Sequence, residues 1–68
     1  MIIYANGQKI DLPDEKTLSV SEFLRRQRYD VQKVAVEKNG SIVTRKDFDA
    51  EMLANGDKIE IVHFVGGG

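Results

Sequence analysis

The stretch "MIIYANGQKIDL" most constrains what this chain can build. A two-residue Asn-Gly loop between apolar runs favours a type I′ turn, whose twist matches that of the strands it joins. Asn6-Gly7 therefore predicts a hairpin of fixed register, with Ala5 opposite Gln8, Tyr4 opposite Lys9, Ile3 opposite Ile10, Ile2 opposite Asp11 and Met1 opposite Leu12. Strand side chains alternate between faces. Met1, Ile3, Ile10 and Leu12 then share a core face, while Ile2 and Tyr4 share the opposite face with Lys9 and Asp11.

"LPDEKT" is a turn that contains the lone proline, Pro13, and "LSVSEF" carries a helix start. Ser19 fits the N-cap, Glu22 completes a capping box three residues on, and Leu18 and Phe23 stand at hydrophobic-staple positions. Val20, Phe23, Leu24 and Gln27 form the inward stripe of one long helix. Arg25, Arg26 and Arg28 fall in its last turns, where cations oppose the negative end of the helix dipole. As a basic cluster they read first as a solvated face, with an acidic partner as the alternative.

"KVAVEK" reads as a strand with Val34 and Val36 inward, and Asn39-Gly40 turns it into the short strand "SIV". Asn39-Gly40-Ser41 also spells a glycosylation acceptor, but the turn already accounts for the asparagine. In "RKDFDAEML", the spacing of Phe48, Met52 and Leu53 predicts one or two helical turns over an end of the core. "ANGD" ends that segment and "KIEIVHF" is the last strand. One helix covers one face of such a sheet, so the expected architecture is two-layer α+β.

Length and composition narrow the function. A chain of 68 residues is one domain at most, with a small core and little room for an enclosed substrate cavity, which argues against an enzyme acting alone. Ten basic and eleven acidic residues leave no basic field for a nucleic acid backbone. With no cysteine there is no disulfide framework, thiolate metal site or cysteine nucleophile, which suits a reducing cytoplasm. No signal peptide or membrane span is expected from "MIIYANGQKI". His63, the single histidine, points inward at a strand end, where a partly buried structural imidazole is the ordinary outcome.

Alternation along the last strand sends Ile59 and Ile61 inward and Val62 and Phe64 to the Glu60 side. If the first and last strands are neighbours, Ile2, Tyr4, Val62 and Phe64 form one exposed apolar cluster, a candidate partner surface. A bulge near residue 62 is the alternative, returning Val62 or Phe64 to the core. After Val65 come Gly66, Gly67 and Gly68, slim enough to thread a narrow channel and present a terminal carboxylate. That group is ionised at neutral pH, with a pKa of about 3.5. As an anion it resists nucleophiles until activated as an acyl phosphate or acyl adenylate. The passive alternative is a frayed end.

The whole chain, through "MIIYANGQ", "TLSVSEFL", "VAVEKNGSIVTRKDF" and above all "NGDKIEIVHFVGGG", resembles the ThiS-type sulfur carriers of the ubiquitin-like β-grasp family. The resemblance implies a mixed four- to five-stranded sheet with the first and last strands parallel and one main helix on one face. It implies a β-grasp domain over residues 1–64 and a flexible tail over 65–68. It further implies a carrier, not an enzyme, in thiamin thiazole biosynthesis. An E1-like enzyme, ThiF, adenylates the Gly68 carboxylate with ATP and magnesium, neither held by the carrier. A persulfide donor then supplies sulfur to make a thiocarboxylate, and thiazole synthase, ThiG, receives it. Gly68 is the attachment residue, and Val65, Gly66 and Gly67 thread the partner's active site. The free chain is expected to be a monomer. Relatives often have proline after the fourth strand, where Thr44 stands here.

Three alternatives compete. The small subunit of molybdopterin synthase uses the same chemistry but commonly has a longer chain with proline before its Gly-Gly pair. A ubiquitin-like protein modifier would end in an isopeptide bond. A plain interaction module would tolerate loss of Gly68.

Overall fold

Both predicted hairpins form at their Asn-Gly pairs. A computed structural model describes residues 1–64; Val65, Gly66, Gly67 and Gly68 lie outside the described residues. Positive φ at Asn6 and Gly7 (50° and 80°) and at Asn39 and Gly40 (52° and 86°) gives two type I′ turns. The first joins β1 (Ile2–Ala5) to β2 (Gln8–Asp11) in the expected register, from Ala5 opposite Gln8 to Ile2 opposite Asp11.

Leu18–Ser19 forms a two-residue strand, β3, that runs directly into helix α1, Val20–Arg26. The Glu22 N–H donates to Ser19 Oγ (3.1 Å), so Ser19 is the N-cap. The capping box closes differently from its usual form, with the Ser19 hydroxyl lying 3.1 Å from Glu22 Oε1. Val20, Phe23 and Leu24 are buried and Gln27 half-buried, as the stripe predicts.

The helix is only seven residues long, shorter than expected. It stops in a Schellman motif: the Arg28 N–H donates to the Arg25 carbonyl (3.0 Å) and the Tyr29 N–H to the Leu24 carbonyl (2.9 Å). Arg28 takes the left-handed position there, at φ 66°, and so lies past the helix rather than in its last turn.

The second hairpin joins β4 (Val34–Lys38) to β5 (Ser41–Val43), with Glu37 opposite Ile42. A single 3₁₀ turn follows at Arg45–Asp47. The helical turns expected to run on to Leu53 are absent; Met52–Leu53 is instead strand β6, antiparallel to β3. Leu53 is buried and Met52 exposed. The helix start explains this outcome. The Val20 N–H donates to the Glu51 carbonyl (2.9 Å) and the Ser21 N–H to the Phe48 carbonyl (3.0 Å). With Ser19 serving Glu22, the first three orphan donors of α1 are all satisfied, two of them by a segment that must stay unwound.

The last strand, β7 (Lys58–His63), occupies the middle of a five-stranded sheet in the order β2-β1-β7-β4-β5. It runs parallel to β1 and antiparallel to β4. Ile3, Leu18, Val20, Phe23, Leu24, Val34, Val36, Val43, Phe48, Leu53, Ile59 and Ile61 make one core between this sheet and α1. The two layers and the parallel first and last strands are those of a β-grasp domain. Among the described residues, no helix is long and apolar enough to cross a membrane.

Candidate functional site

The exit of β7 toward residue 65 is held from several directions. On the β1 side, only Tyr4 and Ala5 pair with β7, opposite Lys58 and Ile59. Asn6 prolongs that short parallel ladder. Its own N–H donates to the Ile59 carbonyl (2.9 Å). Its side-chain amide then accepts from the Ile61 N–H (2.7 Å) and donates to the Ile61 carbonyl (3.1 Å), doing what a further strand residue would do. Asn39 acts similarly at the start of the strand, accepting from the Lys58 N–H (2.9 Å). A third pair, Asn55-Gly56, anchors the opposite end of β1: Asn55 Oδ1 accepts from the Ile2 N–H (2.7 Å) and the Gly56 N–H donates to the Ile2 carbonyl (2.7 Å).

Beyond His63, the Phe64 N–H still donates to the Lys33 carbonyl (2.8 Å), so the pairing with the β4 side continues to the last described residue. Arg45 braces this end. Its guanidinium donates to the Val31 and Val34 carbonyls (3.1 and 3.3 Å) and lies 5.6 Å from the centre of the Phe64 ring. His63 points to the helix side as expected but is exposed rather than partly buried. The helix ends too early to cover it, and the Tyr29 ring lies beside it, centroids 5.3 Å apart.

The face of the sheet away from α1 is open. Val62 is 62% exposed and Ile42 77%, so the bulge that would return Val62 to the core does not form. Across the β7-β4 ladder Val62 stands opposite Ala35, and Glu60 stands opposite Glu37. Glu37 in turn faces Ile42 on β5. Together Ala35, Glu37, Ile42, Glu60 and Val62 line a shallow apolar groove of about 270 Å³. Phe64, still 43% exposed, lines an adjoining cleft that shares Ala35, Val36 and Ile42 with the groove.

The four residues expected to cluster do not do so. Tyr4 is level with Lys58, four residues before Val62. At about 3.3 Å per residue this separates them by roughly 13 Å along the sheet, and Ile2 lies farther still. Ile2 and Tyr4 belong to a region shared with Asp11, Lys9 and Lys58. Val62 and Phe64 are joined instead by Ala35 and Ile42. Ile42 was within reach of the sequence, because the Asn39-Gly40 turn fixes Ile42 opposite Glu37. What the sequence lacked was the alignment of that hairpin with β7. The expected attachment residue Gly68 and the threading residues Val65, Gly66 and Gly67 lie outside the described residues.

Comparison with known proteins bears on the chain from end to end. The model of the ThiS family matches residues 2–68. The crystal structure of a thiamine biosynthesis protein (ThiS) from Geobacter metallireducens superposes with a TM-score of 0.87 at 33% identity, covering 100% of both chains. A thiazole synthase from Paramagnetospirillum magneticum is 35% identical over 68 residues, 100% of this chain but 20% of that protein. Another, from Magnetococcus marinus, is 51% identical over 37 residues, 54% of this chain and 11% of that protein. The chain thus spans a fifth or less of the length of these two thiazole synthases. With the family match reaching from Ile2 to Gly68 and a fold shared over the full length of a solved ThiS, this chain belongs to the ThiS family.

Proposed function

We propose that this chain is a sulfur carrier for thiamin thiazole synthesis, with the Gly68 carboxyl as the site of cargo attachment. The observation that carries the reading is the ThiS family match, which extends through the glycine tail to residue 68. A carboxylate is a poor electrophile, so an E1-like adenylating enzyme, ThiF, converts it to an acyl adenylate with ATP and magnesium. The terminal sulfur of a persulfide donor attacks the acyl carbon and AMP leaves, forming an acyl disulfide. A thiol then attacks the donor-side sulfur of that S–S bond, releasing the thiocarboxylate and leaving a disulfide on the donor. Val65, Gly66 and Gly67 carry no bulky polar group and suit passage into the partner's active site. The carrier itself performs no catalysis. This reading places the chain in the cytoplasm, where ATP and its activating enzyme are at hand.

Thiazole synthase, ThiG, is the proposed recipient. Support comes from the two thiazole synthases that contain a segment similar to this chain, since a carrier body and its acceptor gain effective concentration when joined. The same likeness favours the thiazole branch over molybdopterin synthase. What the geometry contributes is a β7 held on one edge by Asn6 as far as Ile61 and on the other by the β4 side as far as Phe64.

Intact-mass measurement tests the proposal. After incubation with ATP, magnesium, ThiF and a persulfide donor, the chain should gain the difference between one sulfur and one oxygen. A chain lacking Gly68 should gain nothing. An unchanged mass under conditions that convert a known ThiS rejects the carrier reading.

A further inference from the structure

The open groove has an unusual charge pattern for a solvated sheet face. Glu37 and Glu60 stand directly opposite one another at its centre. Cross-strand partners have Cβ atoms about 4.5–5.5 Å apart, and like charges so placed destabilise the sheet. Among the described residues neither glutamate forms an ion pair; the ion pairs there are Arg25–Asp49, Arg26–Glu15 and Lys38–Glu51. On β7 itself the same face carries Lys58, two residues before Glu60. On either side of the two acids lie apolar groups, Ile42 beyond Glu37 and Val62 with Ala35 in the next row.

Resting on the carrier reading for the identity of the partner, we propose that this groove seats one arginine side chain of the adenylating enzyme. Its guanidinium bridges the Glu37 and Glu60 carboxylates, while apolar side chains around it cover Val62, Ala35 and Ile42. Arginine suits the site better than lysine because its planar fork offers five donors and can serve two carboxylates at once. The apolar surround excludes water from that ion contact, which is how interface hot spots reach their strength. A second copy docked face to face would bring its own Glu37 and Glu60 to the same centre and add repulsion. The groove is also lined by the strand that leads to residue 65.

The experiment is a binding titration of the full chain with ThiF, comparing wild type, the double variant E37Q/E60Q and the double variant I42A/V62A. Charged hydrogen bonds lost at the groove should weaken binding by E37Q/E60Q about tenfold or more. The salt dependence of binding should fall in that variant and persist in I42A/V62A, which should also bind more weakly. E37Q/E60Q should unfold at the wild-type temperature or above it, so that weaker binding cannot be assigned to a lost fold. Affinity of E37Q/E60Q within about twofold of wild type overturns the proposal. A free chain that sediments as a dimer only while Glu37 and Glu60 are present assigns the face to a second copy and overturns it too. Sulfur gain by E37Q/E60Q at wild-type affinity sinks the groove and leaves the carrier reading standing. Glutamate-dependent binding without any sulfur gain by wild type does the reverse.

Discussion

The two faces of β7 are made of alternate residues of one six-residue strand, yet they serve different ends. Ile59 and Ile61 are 1% and 6% exposed and lock the sheet to α1. Glu60 and Val62, their neighbours in sequence, face away from α1 and are exposed. The inner face packs, whereas the outer face sets two glutamates, Glu37 and Glu60, opposite one another. The contrast separates what keeps the domain folded from the face proposed to meet another molecule.

The strongest way to break the comparison is to truncate one residue on each face. Ile59→Ala should cost about 3 kcal/mol, from lost burial and the cavity left in the core. A domain of this size has roughly 3–10 kcal/mol to lose, so guanidinium unfolding should show a large fall in midpoint. Val62→Ala should move that midpoint by no more than about 0.5 kcal/mol, as exposed positions do. Equal costs would mean that Val62 is structural after all.

Asn6 tests the edge of β7 next. Asn6→Ala removes the residue suited to φ 50° and both amide contacts to Ile61. The expected loss is about 2 kcal/mol, with hydrogen exchange at the Ile61 amide accelerated beyond what the global change explains. Unaltered protection at Ile61 would show that β4 alone holds the strand.

These positions also show which parts of the fold could be read in advance. A hairpin's register is set by its turn, so Asn6-Gly7 and Asn39-Gly40 specified cross-strand partners that hold residue by residue. Parallel strands have no such turn between them. Nothing in the sequence aligned Tyr4 with Lys58, and a correct adjacency of β1 and β7 therefore gave a wrong patch. Two-residue strands such as β3 and β6 are too short to show alternation, and "FDAEML" kept a spacing compatible with a helix. The stop of α1 was hidden as well, because an arginine sits where a glycine usually announces the end.

That arginine supplies a smaller, opposite effect. Arg28 is held at φ 66° in a Schellman cap, a conformation that costs a residue with a Cβ about 1–2 kcal/mol. Arg28→Gly should relieve most of this while giving some back to the unfolded chain's entropy, for a net stabilisation of about 0.5–1 kcal/mol. Thermal unfolding should register a rise in midpoint. A fall would mean that the Arg28 side chain makes a contact worth more than the strain.

The finest test returns to the outer face. Replacing Glu60 by threonine removes the charge opposite Glu37 and puts a β-branched residue on an exposed strand position. Both changes favour the sheet, so Glu60→Thr should stabilise by about 0.5 kcal/mol in low salt. Screening weakens repulsion between exposed charges, so raising ionic strength should stabilise wild type more than the variant, and the gap should narrow. A gap independent of salt would assign the gain to threonine's strand preference alone. A salt-dependent gap, together with weaker binding to the adenylating enzyme, would show that the free domain keeps a mild internal repulsion because a partner's cation relieves it.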